Sequence, residues 1–273
     1  MTDTALLARI AEALERLTPA TPTTADWLAA PAYVWNGSAR AIAAIEAPPL
    51  GLLRGIDQQK QAVAGNVARL AHGQAAHDML LWGARGMGKS ALLRAAVKAA
   101  QEHGGQVALV QVTADALGSL PQLFGLLAAH PRNFLVFIDD LGFAEGDSEG
   151  PRRLRSWLDG GVEARPGNVR LAVTSNRRAI VPRHSAEQDD PINPRDVVDD
   201  SLALADRFGL SLGFHVCSQD DYLAMLRGYA GEYGLTLDEA EALEWSKRRG
   251  ARSGRVAWHF ITELAGRAGR GLG

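Results

Sequence analysis

The segment with the most specific chemistry is a glycine-rich turn, GARGMGKS, over residues 83–90. It follows the apolar run MLLW at 79–82 and leads into a helical pattern at 89–102. Glycine adopts left-handed backbone conformations, so the N–H groups of such a turn can point inward around a phosphate. The positive end of the following helix adds to that attraction. The spacing and its context therefore predict a phosphate-binding loop.

Two side chains of this loop are suited to a triphosphate bound with magnesium. In loops of this pattern the ammonium group of Lys89 neutralises the β- and γ-phosphates, and the hydroxyl of Ser90 is a Mg²⁺ ligand. We therefore predict ATP and Mg²⁺ as the ligands. The predicted cofactor-binding residues of the loop are Gly83, Ala84, Arg85, Gly86, Met87, Gly88, Lys89, Ser90 and Ala91.

Two adjacent carboxylates follow another apolar run. The segment FLVFI at 134–138 leads directly into Asp139 and Asp140. Charged groups at the end of a buried strand cost desolvation energy, so this pair needs a compensating role. We predict that Asp139 holds Mg²⁺, directly or through water, and that Asp140 polarises an attacking water. The alternative is an acid pair that only caps the next segment.

A third apolar run, VRLAV at 169–173, ends in the polar residues Thr174, Ser175 and Asn176. Open α/β sheets bind their ligands at the carboxyl ends of the strands. We therefore predict that Asn176 orients the water against the γ-phosphate. The alternative is an ordinary turn residue.

These residues belong to a pattern in which short strands alternate with helices. The predicted strands are 79–82, 107–112, 134–138, 169–173 and 211–214, with helices at 89–102, 120–129 and 151–158 between them. Such alternation is typical of βαβ units. The predicted fold class is α/β, with a phosphate-binding-loop core whose parallel five-stranded sheet is flanked by helices.

Both ends of the chain depart from this alternation. The preceding part has predicted helices at 3–17, 38–47 and 57–72, and the following part has predicted helices at 218–233, 238–249 and 254–266. The last three predict a small C-terminal all-helical lid. We divide the chain into an N-terminal helical segment with a linker, 1–50, an α/β domain, 51–216, and the lid domain, 217–273. The polar stretch 182–200 is predicted to be an inserted loop.

The bulk composition excludes several classes of protein. The 273 residues carry a formal net charge of −2, so no global basic field indicates nucleic acid or an anionic membrane. Cys217 is the single cysteine, and a disulfide framework is excluded. The first residues do not resemble a signal peptide, and no apolar run is long enough to span a membrane. These features favour a cytoplasmic protein.

Together these motifs resemble those of the AAA+ ATPases. GARGMGKS resembles the Walker A motif, FIDD resembles Walker B, and TSN resembles sensor 1, with Asn176 as its polar residue. The strings DRFGL and SGRVA are similar to segments of Holliday-junction branch-migration motors. More closely, the strings between residues 50 and 266 resemble a bacterial family of small P-loop ATPases known only as a domain of unknown function.

The resemblance implies further site residues. Ile56, in LRGID, matches the segment that contacts adenine. Arg207, in LADRFGLSLGF, matches the arginine finger that reaches the γ-phosphate of a neighbouring subunit, which implies a homo-oligomer. An intrachain salt bridge of Arg207 is the alternative. Arg255 matches the sensor 2 arginine of the lid, and Arg252 is the second match.

The function that follows is ATP hydrolysis coupled to the remodelling or assembly of an unknown protein or nucleic-acid partner. The acid pair is Asp-Asp rather than Asp-Glu, and Asp140 is one methylene shorter than glutamate. Because AAA+ helicase loaders and initiators also carry Asp-Asp and act as slow switches, we expect slow turnover. The alternative is a nucleotide-dependent binding module with little turnover. A third possibility is a P-loop kinase or a small GTPase. A GTPase is disfavoured because the NKxD motif for guanine is missing, and the three-helix C-terminal segment with SGR fits an AAA+ protein better than a kinase.

Overall fold

The computed structural model describes residues 25–142, 149–158, 165–176 and 205–272. Its centre is a seven-stranded sheet with the order β2-β1-β4-β5-β6-β3-β7. The strands are β1 Ala32–Trp35, β2 Ala39–Ile42, β3 Met79–Gly83, β4 Val107–Val112, β5 Asn133–Ile138, β6 Val169–Ser175 and β7 Leu210–Phe214. All neighbouring pairs are parallel except β1 with β2.

The α-helices of the described residues agree with seven of the nine predicted helices to within two residues at either end. They are α1 Asp57–Ala71, α2 Lys89–Glu102, α3 Leu120–Ala128, α4 Glu149–Leu158, α5 Gln219–Tyr233, α6 Glu239–Arg248 and α7 Gly254–Arg267. Short 3₁₀ helices cover Leu50–Leu52 and Ala114–Ser119. The α/β class with a helical C-terminal part is confirmed.

The predicted strand count was too low, and the helix predicted at 38–47 was wrong. The described residues contain a β-hairpin there, with β1 paired in parallel to β4 and β2 paired antiparallel to β1. Asn36, Gly37 and Ser38 form the turn, and Gly37 has a φ of 96°. An Asn-Gly pair between two short apolar segments is a strong hairpin signal, and the sequence analysis did not use it.

Two hydrophobic clusters cover the faces of the sheet. One contains α1, α2 and the lid helices and includes Val67, Leu93 and Phe260, each fully buried. The other contains α3 and α4 and includes Leu123 and Phe134. Apolar residues on both faces of the central strands explain their continuous apolar runs, as expected for a parallel sheet between layers of helices.

Side-chain caps begin each lid helix. Ser218 and Asp221 form a capping box at the start of α5. Asp238 accepts hydrogen bonds from two amides of α6, and Ser253 accepts one from Val256 in α7. These caps satisfy N–H groups that have no partner within the helix, so they set where each lid helix begins.

Two predicted segments, the helix at 3–17 and the loop at 182–200, lie outside the described residues. In the part of the chain that is described, no helix is both long enough and apolar enough to cross a lipid bilayer.

Candidate functional site

Strand register brings the predicted site residues to one edge of the sheet. Trp82 of β3 pairs with Ser175 of β6, and Ile138 of β5 pairs with Val173 of β6. The glycine-rich loop, the acid pair and Asn176 each follow one of these parallel strands. Because parallel strands end at the same edge, the three segments meet there.

The loop backbone adopts conformations that require glycine. Gly83, Gly86 and Gly88 have φ values of 121°, 75° and 88°. A Cβ on Gly83 would lie 2.1 Å from the carbonyl oxygen of Phe214, so β7 approaches the loop too closely for any side chain. Gly88 is the N-cap of α2, so the amino end of that helix directly adjoins the loop.

Lys89 is nearly buried within this loop, with 7% of its surface exposed. Its Nζ donates hydrogen bonds to the carbonyl oxygens of Gly83, at 2.8 Å, and Ala84, at 2.9 Å. A longer bond, at 3.4 Å, reaches Oδ1 of Asn176. Burial lowers the pKa of Lys89, although Asp140 and Asp139 act in the opposite direction. The ammonium group is thus held at the loop, close to both acids.

Ser90 and the first acid are in direct contact. Ser90 Oγ donates a hydrogen bond to Asp139 Oδ1 at 2.6 Å. Thr174 Oγ1 donates to the same oxygen at 2.6 Å. The two predicted metal ligands therefore lie side by side, and both present oxygen atoms, which Mg²⁺ prefers.

Thr174 also positions the second acid. Its Oγ1 accepts a hydrogen bond from the backbone N–H of Asp140 at 2.8 Å, and only 1% of its surface is exposed. Asp140 is the one described non-glycine residue with a positive φ, 52°. Asn176 Nδ2 donates to Asp140 Oδ1. We did not assign Thr174 to the site, although its place at the end of an apolar run was the available signal.

The lid contacts the loop through its last helix. The backbone N–H of Arg255 donates to the carbonyl oxygen of Gly86 at 3.1 Å. A Cβ on Gly86 would lie 2.9 Å from Ser253 Oγ and 3.2 Å from Arg255 Cβ. The charge of Arg255 also lowers the pKa of Lys89. Arg255 is therefore next to the loop, whereas Arg252 bonds to Gln219 Oε1 at 3.5 Å.

Arg207 lies near the amino ends of the strands, whereas the predicted site lies at their carboxyl ends. It precedes β7 by three residues, and the first residue of β7, Leu210, pairs with Met79 at the amino end of β3. The five residues of β3 separate that end from the loop, a distance on the order of 15 Å at about 3.3 Å per residue. Arg207 is half-buried, and the strands hold it away from the loop of its own chain.

The remaining predicted residues differ in exposure. Ile56 is buried, and its Cδ1 would lie 3.7 Å from a Cβ on Gly88, so it packs beside the loop. Met87 is also buried, whereas Arg85 is exposed. Ala91 packs against the cluster that contains α2.

The predicted metal site has two protein ligands, Ser90 and Asp139. Among the described residues, no group of three or more His, Cys, Asp or Glu side chains is suited to a metal ion. A Mg²⁺ site needs fewer, since it uses one or two protein ligands with phosphates and water.

A family model described as "Protein of unknown function (DUF815)" matches residues 28–268, which is most of the chain. The chain belongs to the DUF815 family. No curated protein matches this DUF815 chain.

Solved structures resemble the DUF815 chain in fold. The Holliday junction branch migration motor RuvB of Thermotoga maritima matches at a TM-score of 0.51 and 16% identity, over 80% of this chain and 65% of that one. The Orc1 protein of Aeropyrum pernix, solved in complex with DNA, matches at a TM-score of 0.53 and 17% identity. This match covers 81% of this chain and 65% of the Orc1 chain. The chain thus spans slightly less than two thirds of the length of either protein.

These likenesses show that the DUF815 chain has the AAA+ fold. The predicted resemblance to AAA+ proteins, to a family of unknown function and to Holliday-junction motors is confirmed. At this level of identity the likeness concerns the fold, and the roles of the individual residues remain predictions.

Proposed function

We propose that the chain binds ATP with Mg²⁺ at the loop 83–90 and hydrolyses it slowly, to drive or switch the remodelling or assembly of a macromolecular partner. The observation that carries this proposal is the 2.6 Å hydrogen bond between Ser90 Oγ and Asp139 Oδ1. It joins a loop hydroxyl to a strand-end carboxylate, the pair that holds Mg²⁺ in P-loop NTPases.

The residues present suit both groups. Gly83, Gly86 and Gly88 leave their N–H groups accessible in a turn where side chains would collide or strain the backbone. Lys89 supplies a positive charge inside that turn. Ser90 and Asp139 would hold Mg²⁺, which neutralises charge on the phosphates when it is bound.

The second acid and its neighbours would position and activate the attacking water. Asp140 would accept a hydrogen bond, and then a proton, from the attacking water at a carboxylate oxygen. Asn176 bonds to that carboxylate and to Lys89, so it is suited to align the water with the γ-phosphate. Thr174 would keep both acids in place through its single hydroxyl.

The arginines would have different roles. Arg255 lies beside Gly86 and would sense the nucleotide of its own chain. Arg207 lies at the far end of β3 and β7, so it would act on the nucleotide of a neighbouring copy in a homo-oligomer. Guanidinium groups suit both roles because their planar donors match phosphate oxygens.

A second candidate, a nucleotide switch with little turnover, is supported by the surroundings of Asp140. Its carboxylate is already hydrogen-bonded to Asn176, and its backbone is in a sparsely populated conformation. Aspartate is also shorter than the glutamate of faster motors, and a displacement of about 1 Å from a water costs on the order of 100-fold in rate.

Calorimetry with ATP and Mg²⁺ tests the binding proposal. The wild-type chain and Lys98→Ala should release heat on titration, whereas Lys89→Ala should bind roughly 10-fold to 100-fold more weakly, since a charged hydrogen bond is lost. Lys98 is a matched control because it is on the same helix but exposed. The proposal is wrong if the folded wild type binds no ATP, or if both variants lose affinity equally.

A second measurement separates the two candidates. If ATP hydrolysis drives the remodelling of the partner, that remodelling requires turnover and should stop in Asp140→Asn. If the chain is a switch, Asp140→Asn with ATP still assembles with its partner, and only release of the partner is slowed.

A further inference from the structure

The turn between α6 and α7 in the lid is strongly basic. Residues 245–262 contain no acidic residue and five cations, which are Lys247, Arg248, Arg249, Arg252 and Arg255. Arg248, Arg249 and Arg252 are all exposed, and we call these three the turn arginines. They lie within five residues of each other, so their charges act on the same volume of solvent.

The turn arginines differ from other lid arginines in their partners. Arg227 forms an ion pair with Glu239 at 2.6 Å, and Arg267 pairs with Glu241 at 2.5 Å and with Glu263 at 2.9 Å. Among the described residues, no carboxylate bonds to a turn arginine. The described part of the lid therefore carries some arginines that are paired with a carboxylate and others, the turn arginines, that are not.

Two acids of the lid close to the turn, Glu244 and Asp221, are already engaged, whereas Asp220 is exposed beside Gln219, which Arg252 contacts. Glu244 accepts a hydrogen bond from Lys247 at 2.7 Å, which lowers its pKa, and Arg248 adds only the smallest contribution. Asp221 is in the capping box of α5. The first turn of α7 has no acidic residue, so its positive helix end adds to the field of the turn.

We propose that the turn arginines bind the sugar–phosphate backbone of a nucleic acid. Guanidinium groups present several donors in a plane, which matches phosphate oxygens. A dry interface with an acidic protein would need exposed apolar side chains beside the charges. The exposed large hydrophobics among the described residues are Leu28 and Val216. Neither lies in the turn, and only Val216, three residues before the Gln219 that Arg252 contacts, could adjoin the charges. An exposed basic surface of this kind suits a solvated polyanion better.

The contact is with the backbone rather than with the bases. Trp245 is the aromatic ring nearest the turn, but Arg249 covers one side, with its Cζ 4.8 Å from the ring centroid. Phe260 packs at 5.6 Å from the same ring. Both neighbours restrict access to the Trp245 ring, so base stacking should contribute little, and binding should depend little on sequence and strongly on salt.

This inference names a partner class for the proposed function, and its test is separate from ATP binding. The probes are a labelled DNA duplex and a labelled single strand, titrated with the full chain at several salt concentrations. The test variant is Arg248→Ala with Arg252→Ala, which leaves Arg249 on Trp245. The matched control is Arg227→Ala with Arg267→Ala, which removes the same net charge from ion-paired positions of the same lid.

The wild type and the control should bind both probes, with affinity that falls as salt rises. The test variant should bind about tenfold more weakly at low salt. Its plot of log affinity against log salt should become less steep by about 1.8 for the duplex and about 1.4 for the single strand, or about 0.9 and about 0.7 for each lost phosphate contact. The proposal is overturned if the wild type does not bind, or if the two double variants lose affinity equally.

A second copy of the chain is the competing occupant. If mass measurement shows that the test variant changes oligomeric state while DNA affinity is unaltered, the surface belongs to that copy and the proposal fails. ATP affinity is measured on the same samples. DNA binding without ATP binding leaves this inference standing and removes the proposed function, and ATP binding without DNA binding does the reverse.

Discussion

The side-chain amide of Asn176 donates a hydrogen bond to the carboxylate of Asp140. The two residues are 36 positions apart and follow neighbouring strands, β6 and β5. Asn176 also meets Lys89 at 3.4 Å. One amide therefore links the second acid to the loop lysine, so a substitution of Asp140 or of Lys89 should alter the position of the other side chain.

Replacing Asp140 by asparagine should abolish most turnover and leave ATP binding nearly intact. The loss should be about 100-fold, because a general base typically contributes that much or more. Asparagine keeps the size of the side chain and also tolerates a positive φ, so the backbone at 52° should persist. Steady-state hydrolysis and ATP titration measure the two effects, and Asp115→Asn is an exposed control. An unchanged rate would remove Asp140 from the chemistry.

Thr174→Val should misplace both acids because it removes the hydroxyl that bonds to Asp139 Oδ1 and to the Asp140 amide. We expect at least about a tenfold loss of turnover from the altered geometry. The unfolding free energy should decrease by about 1–2 kcal/mol, since two hydrogen bonds of the buried Thr174 side chain are lost. Thr174→Ser retains the hydroxyl and should restore turnover. A serine variant as slow as the valine variant would argue for a packing role only.

Arg207→Ala should be inactive alone and should recover activity when mixed with a second inactive variant. The strands place Arg207 far from its own loop, so an active site in an oligomer would combine residues of two copies. We expect that a mixture of Arg207→Ala and Asp140→Asn hydrolyses ATP faster than either variant alone. Absence of recovery in a mixture shown by mass measurement to contain both variants in one oligomer would favour an intrachain role for Arg207.

Two glycine substitutions should have opposite effects on stability. Gly83→Ala places a Cβ 2.1 Å from the carbonyl oxygen of Phe214, at a φ of 121°, and should destabilise the fold by about 3 kcal/mol or more. Gly125 is exposed on α3, and a Cβ at that position would have no atom within 4 Å, so Gly125→Ala should stabilise the helix by about 0.5–1 kcal/mol. Urea unfolding measures both changes. A harmless Gly83→Ala would mean that β7 does not approach the loop this closely.

Stability should fall at high pH because of Tyr222. Its side chain is fully buried in the lid, and burial raises its pKa from 10.0 to about 12. The folded state holds this proton more tightly than the unfolded state, so the contribution is fully present below pH 10 and is lost as the pH rises toward 12. Relative to Tyr222→Phe, the wild type should lose on the order of 2 kcal/mol across that interval. The prediction is contradicted if the unfolding free energies of the two proteins change equally between pH 10 and pH 12.

The sequence alone determined the parts of the protein that depend on local pattern. The glycine-rich loop, the acid pair and the polar end of β6 were identified because each follows a buried strand within a few residues. The parallel strands of the core and the α-helices of the described residues followed from apolar runs and helical spacing. Their local preferences and their places in the fold agree, so the order of residues along the chain was sufficient to predict them.

Only the tertiary structure decided which of these residues meet. The hairpin of β1 and β2 gains its stability by pairing with β4, which no local helical count reveals. Thr174 contacts both acids, Arg255 contacts Gly86, and Arg207 lies at the other end of the sheet. Strand register and lid packing fix these relationships, and both arise from contacts between residues that are distant in the chain.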